Sequence, residues 1–565
     1  MKKSTKFMSM ALALMLGAST VVGASGCNKQ PADTADALDI YVLHKGNGFQ
    51  WCYDMAAAFI EEDWVKAKYP NLTISPIVVN QEESYGSSML AAGAGSNRFD
   101  LMFAHLDGQT YAAQGELEDL TQSVYYADVP GEEGTKYIEK HNDSYTFINR
   151  YLDTTNPNVE KYYQATWNHG TNSFVYNETL LKALGYDVPN TTDEFLAICN
   201  AVLNRTTEEV NASAYKHSYT IRQAENGYWN YTFPIFWAQY EGIEEYTNFW
   251  NGIVDGEYSN KIFQQKGILK SLEFLETALD YETGYFYTGS RADNYMAGQT
   301  AFLLGEGIFH SNGDWFDNEM RSIINKIQAG ELSGLGNVSA SQAEAAKNYV
   351  FKIMRAPIIS ALGTKLGIDD TTLSAIVDYV DDETGTVAKP TISVNAQGYT
   401  STGYTEAEVI AAVKEARTIV HSLGPKHAAV VPSYAKCKGP AIDFLRFMAT
   451  DKAQEIYMRA TGGSCLPFKY NVKVKNPDLY AEMTPFHQAK LDYFCSTKYE
   501  VYTLPDDGAF PLAQYGGVAA TTNVQYYTTF TTRGNTKTAA QFVQNTIDYW
   551  TLPKFNEALA TAGLN

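Results

Sequence analysis

YMAGQTAFLLGEGIFHSNGDW, residues 295–315, passes through three kinds of segment. Met296-Ala297-Gly298-Gln299 reads as the end of a helix closed at glycine, where a left-handed residue costs little. Thr300–Leu304 is a short apolar run with the length of a buried strand. A loop follows and ends in Asn312-Gly313-Asp314-Trp315. That order sets a large flat ring and polar neighbours at a strand's carboxyl end, where open α/β sheets hold ligands. The same pattern also fits a buried tryptophan closing a core, and periodicity alone does not separate the two.

Upstream, Leu38–Leu43 (LDIYVL) alternates as a first strand, and His44–Gln50 (HKGNGFQ) is a glycine-bearing loop that includes Asn47. The helix after it starts near Trp51, with Trp51, Met55, Phe59 and Val65 close to one face. Leu72–Val79 reads as the second strand, Ser84–Ala94 as a helix and Asp100–Ala104 as the third strand, with His105 and Asp107 just past its end. Strand and helix alternating in this way predict a parallel sheet with right-handed crossovers. Val124–Glu160 is polar, tyrosine-rich and without clear period, so it reads as an irregular elaboration. Farther on, Phe174-Val175-Tyr176 reads as a strand, and Thr191 or Thr192 caps the helix that follows Gly185. Tyr228–Trp237 (YWNYTFPIFW) is crowded with aromatics and interrupted by Asn230 and Pro234, which excludes a plain core strand. Its Trp229 and Trp237 suit either a ligand cleft or a buried corner. The acidic run Asp381-Asp382-Glu383 lacks the ligand spacing of an EF-hand and reads as a solvated face. Glu406–Leu423 is a helix, Ala428–Val431 a strand, and Phe542–Leu564 a closing helical stretch.

The amino-terminal stretch 1–26 carries Lys2, Lys3 and Lys6, then an apolar core from Phe7 to Val22, then small residues up to Cys27. This is the layout of a secretory signal peptide, and Ala24-Ser25-Gly26-Cys27 is similar to a lipobox whose cysteine is lipidated after cleavage. The polar stretch to residue 37 reads as the lipidated tether. The whole chain has 43 Lys+Arg against 64 Asp+Glu, a formal net charge of −21. Nucleic acid is therefore excluded as a partner, because it needs a basic footprint. Beyond Cys27, five cysteines are scattered along the chain without disulfide-framework or zinc spacing, so no metal site is expected. The 40 tyrosines suit a wet cleft, since tyrosine offers an apolar face and a hydrogen-bonding tip. No G-x-S-x-G, H-E-x-x-H, Walker loop or dinucleotide fingerprint is present, so the chain is expected to bind and not to catalyse, without a cofactor.

Residues 295–315 resemble the "GkaAM…nGdW" segment of extracellular solute-binding proteins, the ligand-capturing lipoproteins of ABC importers, and in particular the carbohydrate-binding group. Gln114–Thr121 (QGELEDLT) resembles that family's "aGlL.dLt", and Gln164–Gly185 its crossing between lobes, "yYNkdlfkkaG". Pro189–Phe195 resembles "pPkTwdEl", Met354–Leu362 the return crossing, and Gly439–Leu466 "keaAleFlkFltspeaqkiya.atGg.P". These segments stand in family order over nearly all of Leu38–Asn565. The resemblance implies an α/β, two-lobed periplasmic-binding-protein-like fold with a hinge between lobes. It divides the chain into residues 38–165 and 357–478 for the first lobe and residues 166–356 and 479–565 for the second. It implies a monomeric solute-binding lipoprotein, anchored by Cys27 to the extracellular face of the cytoplasmic membrane. That protein would bind a carbohydrate, a neutral oligosaccharide in this reading, and deliver it to an ABC permease. A glycan-binding adhesin or receptor, a glycan-active enzyme and a binder of a non-sugar solute such as a peptide are the rival readings. In the family the tryptophan of "nGdW" stacks on a sugar ring. The resemblance therefore puts Trp315 and Asp314 in the cleft, with Trp51, Asn47, His105, Asp107 and Trp167 facing them and Trp229 and Trp237 nearby.

Overall fold

The computed structural model describes residues 36–153, 159–222, 228–336, 338–392, 403–422, 426–518 and 526–564. The signal peptide, Cys27 and all but the end of the tether lie outside the described residues. The strands that organise the chain are β1 (Ile40–Leu43), β2 (Val78–Asn80), β3 (Leu101–His105), β4 (Ala165–Thr166), β5 (Asn172–Asn177), β6 (Phe309–Gly313), β7 (Phe351–Met354) and β8 (His427–Val430). They form two sheets, β2-β1-β3-β8-β4 and β6-β5-β7.

The first sheet is covered on both faces, so β1 is apolar throughout. Alternate side chains go to opposite faces. Ile40 and Val42 join the core built with Trp51, Met55 and Phe59 of helix Gln50–Glu61. Tyr41 and Leu43 join Leu90 of helix Ser84–Ala92 on the other side. In the second sheet Phe174 and Tyr176 of β5 face the large core of the molecule, while Val175 faces a smaller one with Phe302 and Ile353.

The sheets are less parallel than the alternation of elements predicts. β1 is parallel to β2 and β3, but β8 runs antiparallel to β3 and β4, and the second sheet is antiparallel throughout. The βαβ rule fixes direction only where a strand follows its neighbour through a local crossover. β8 enters from the other half of the chain, so that rule does not govern it. Residues 166–172 lead from β4 into β5, and residues 419–427 lead back into β8. The intervening chain also differs from the expected division at residue 357. Ile358, Leu362, Leu373, Val377, Val409 and Val413 all belong to the large core with Phe174, and the first sheet is re-entered only at β8.

Three local expectations change. Thr300–Leu304 is no strand: Asn294 caps a helix running Tyr295–Leu303 by accepting a hydrogen bond from the Ala297 N–H, and Gly298 lies inside it. The turn comes at Gly305 and Gly307, with φ of +89° and +132°, and the strand is the polar run Phe309–Gly313. Tyr228–Trp237 falls mostly within helix Trp229–Glu241, with Pro234 inside it. Trp229, Phe233, Phe236, Trp237 and Tyr240 are buried along it, and their spacing is helical. The acidic run is not wholly a solvated face, because Asp381 is bound by Arg355 at 2.8 Å and Arg417 at 2.6 Å.

Candidate functional site

Trp315 stands two residues past the carboxyl end of β6, half-buried, with its ring folded back over its own strand. A Cβ on Gly313 would lie 2.1 Å from the Trp315 Cζ3, and a Cβ on Gly46, in the loop after β1, would lie 2.5 Å from the Trp315 Cβ. Two glycines therefore let strand β6 and the opposite lobe approach the tryptophan closely. Tyr228 and Tyr231, at the start of helix Trp229–Glu241, place their ring centroids 6.3 and 6.0 Å from Trp315. With Tyr295 these rings line a cavity of about 770 Å³ between the sheets, whose facing wall includes Asn47, Glu83 and His105.

The residues expected in the cleft divide into those that reach it and those that do not. Trp315, Asn47 and His105 line this cavity together. The Asn47 Oδ1 accepts a hydrogen bond of 2.9 Å from the Ser464 hydroxyl, which orients it at the cavity edge. His105 ends β3 with its Nδ1 3.9 Å from Glu83. Burial depresses its pKa to about 4, outweighing the opposing pull of Glu83, so the imidazole is neutral near pH 7. Its buried Nε2 has no hydrogen-bond partner. Glu83 is held below its ordinary pKa: its desolvation is outweighed by the hydrogen bond from Lys45 and by neighbouring positive groups. Asp107 lines an adjoining cavity of about 700 Å³, which shares Glu83 and His105 with the first.

Trp51 and Trp167 are fully buried and stack on one another at 5.2 Å in the first core. Trp229 packs edge-on against Phe174, and Trp237 donates its Nε1–H to Gln265 at 2.8 Å. Both lie in the large core and not on the cavity wall. Asp314, 1 % exposed, is not open to a ligand hydroxyl. Its Oδ2 is 2.5 Å from Lys490 Nζ, and its Oδ1 accepts from the Thr171 N–H at 3.3 Å. A carboxylate this buried must be paired, and the pairing fastens β6 to the crossing segment 166–172.

Tyr228, Tyr231, Tyr295 and Glu83 were not singled out from the sequence. The first two had a signal: they are spaced i, i+3, which puts them on a helix face distinct from buried Trp229, Phe233 and Phe236. The second cavity also takes in Asp506 and Asp507, which sit far from Asp107 in sequence. The described cysteines offer no exposed nucleophile, since Cys52, Cys199, Cys437, Cys465 and Cys495 are all buried, and burial raises the Cys52 and Cys199 thiols. Among the described residues, no group of His, Cys, Asp or Glu could hold a metal ion, and no helix is long and apolar enough to cross a membrane.

Two α/β lobes that meet over a lined cavity define a two-lobed solute-binding architecture. Residues 55–346, more than half of the chain, match the model of the bacterial extracellular solute-binding proteins, and the chain belongs to that family. The fold is similar to the GacH receptor of Streptomyces glaucescens GLA.O, solved unliganded and with acarbose. The TM-score is 0.51 at 13% identity over 91% of this chain and 97% of that one. It is also similar to apo RafE from Streptococcus pneumoniae, with TM-score 0.50 and 14% identity over 95% and 99% of the chains. A cyclo/maltodextrin-binding protein in complex with maltotetraose gives TM-score 0.50 and 14% identity over 94% and 99%. No curated protein matches the chain in sequence.

Proposed function

We propose that the protein captures a carbohydrate in the cleft beside Trp315 and hands it to an ABC permease. The observation that carries this reading is the pairing of opposite walls: Trp315, Tyr228, Tyr231 and Tyr295 on one side, Asn47, Glu83 and His105 on the other. A pyranose has apolar C–H faces that suit flat rings and hydroxyl edges that need hydrogen-bonding groups once buried. The solved structures of similar fold support the reading, because two of them were determined in complex with acarbose and with maltotetraose. In this reading the lobes, built around the β1 and β5 sheets, close about the crossing segments, and the protein is a monomer that binds without catalysis. Cys27 carries the lipid that holds it at the extracellular face of the membrane.

Calorimetry against a panel of neutral oligosaccharides tests the reading, with peptides as the competing class. Binding of at least one oligosaccharide, weakened by Trp315→Ala, is expected. Binding of a peptide with no response to any sugar would overturn it.

A further inference from the structure

We propose that the adjoining cavity is a second subsite, which takes a positively charged amine on the far end of the same carbohydrate. The inference rests on the sugar reading above and adds the chemistry of one end of the ligand.

The two cavities share the wall made by Glu83 and His105, so a ligand lying on Trp315 can continue past His105 into the second. Their linings differ. The Trp315 side is rich in Trp and Tyr, whereas the second cavity has no Phe, Tyr or Trp among its described lining residues and carries Asp107, Asp506 and Asp507. Lys426 is the cation on its wall. Glu83, at the junction, is already paired with Lys45 at 3.0 Å. The remaining carboxylates line one cavity, and Asp506 feels the charge of the other two. Burial pushes Asp506 up to about 6, and the charges of Asp507 and Asp107 push the same way against Lys426. Like charges held together with one counter-charge leave a site that a cation would relieve.

A second feature points to a ligand independently of the carboxylates. Gln164, 7 % exposed, lines the cavity with a buried Oε1 that has no hydrogen-bond partner, and so does the Gln514 Oε1. Their amide nitrogens are engaged: Gln164 Nε2 donates to Asn149 Oδ1 and Gln514 Nε2 donates to Asp107 Oδ2, both at 3.3 Å. Each amide is therefore oriented with its acceptor unused. Gly108 makes room for one of them, since a Cβ there would fall 1.9 Å from the Gln164 Oε1. Carboxylates on the wall, with unused amide oxygens buried just behind it, suit a ligand rich in donors, and an ammonium has three N–H donors and no acceptor. A sugar hydroxyl, which both donates and accepts, uses such a wall less completely. A metal ion does not suit it, because no metal-holding group occurs among the described residues.

The test is calorimetry on the intact mature chain with matched pairs of neutral and amine-bearing oligosaccharides. The pairs are cellotetraose with the glucosamine tetramer, and malto- and xylo-oligosaccharide alditols with their 1-amino counterparts; spermidine is a separate arm. In a pair that binds, the amine-bearing member should bind at least about tenfold more tightly at pH 7 and low salt, the scale of one charge pair in a partly screened site. The margin should shrink as salt rises and fall toward parity in the Asp506→Asn/Asp507→Asn variant. Trp315→Ala should weaken both members alike and keep the ratio. Equal or weaker binding of the amine-bearing member in every pair that binds overturns the subsite and leaves the sugar reading standing. Tight binding of spermidine with no sugar bound, or no binding of any pair, overturns the sugar reading and this inference with it.

Discussion

Trp51 follows β1 through the loop 44–49 and stands in the first turn of helix Gln50–Glu61. Trp315 follows β6 after a single residue and stands just before the short helix Phe316–Glu319. Both come after a strand end near glycines, yet Trp51 is 0 % exposed and stacked on Trp167, while Trp315 lines the cleft. The difference lies in which neighbour takes the inward position. On the Trp51 helix, Met55 and Phe59 define the buried face one and two turns on, and Trp51 falls on that face. Beside Trp315 the inward place is taken by Phe316, 1 % exposed among Phe302 and Met320, so the tryptophan turns toward the other lobe. Proximity to a strand's end therefore does not make a cleft residue; the residue must also be surplus to the local core.

The largest effect should follow from breaking the buried member of this pair. Trp51→Ala is expected to cost about 3–5 kcal/mol of stability, the range for deleting a buried large aromatic. Denaturant unfolding measures it, and ligand affinity of the protein that remains folded should be unchanged. Trp51→Phe should cost less, because the buried Trp51 Nε1–H has no hydrogen-bond partner and phenylalanine removes that burden. A large loss of affinity in folded Trp51→Ala would dissolve the contrast with Trp315.

Next comes the pairing that fixes the strand before Trp315. Lys490→Met should destabilise by about 3 kcal/mol, because it leaves the Asp314 carboxylate buried without its counter-charge. Thermal melts of Lys490→Met and of Asp314→Asn/Lys490→Met then form an informative pair. Removing both charges should restore much of what the single change loses. If the double variant is no more stable than the single one, the pair is not what fastens β6 to the crossing segment.

Trp315→Ala addresses the member that lines the cleft. It should reduce sugar affinity by about 1–3 kcal/mol, about fivefold to 150-fold in Kd, with little change in the melting temperature of the ligand-free protein. A sharp fall in melting temperature without loss of affinity would move Trp315 into the core and erase the distinction from Trp51.

The legible parts of the molecule are those where local pattern and burial agree. β1 and β3 alternate between two apolar faces, and Thr191 caps its helix by accepting from the Glu194 N–H, as its residue type suggests. β6 escapes a hydrophobicity reading because its polar residues are buried, and two of them bond to groups elsewhere in the chain. His310 Nδ1 donates to the Arg222 carbonyl at 2.5 Å, and the Ser311 hydroxyl donates to the Tyr228 carbonyl at 3.0 Å. A hydrophobicity pattern does not register such a strand, so the apolar Thr300–Leu304, really the end of a helix, took its place. The sequence around Asp314 suggests an open carboxylate for a similar reason, since its partner Lys490 lies far away along the chain. The second cavity depends on Asp506 and Asp507 meeting Asp107, a juxtaposition that only the fold creates.

His105 lies between the two tryptophans in character, a strand-end residue with its side chain 20% exposed, and it carries the smallest expected effect. Burial holds its folded-state pKa at about 4, below the ordinary 6.5, with Glu83 pulling upward and Lys45 and Lys426 pushing downward. Between those two pH values the unfolded chain takes up a proton that the folded site refuses. The neutral histidine therefore contributes nothing to pH dependence above pH 6.5, and the fold loses stability as pH falls from 6.5 toward 4. One pKa unit corresponds to about 1.4 kcal/mol, and partial exposure reduces the share that His105 can claim to about 1 kcal/mol. His105→Gln keeps a polar side chain of similar reach without the titration. Its unfolding free energy should fall less steeply over that interval than that of the unaltered protein, while the two run parallel above pH 7. His141, His310 and His421, also depressed by burial, remain in both proteins and cancel in the difference. Parallel curves over the whole range would mean that His105 is solvated enough to titrate normally, and the first-lobe wall of the cleft would then be wetter than its packing implies.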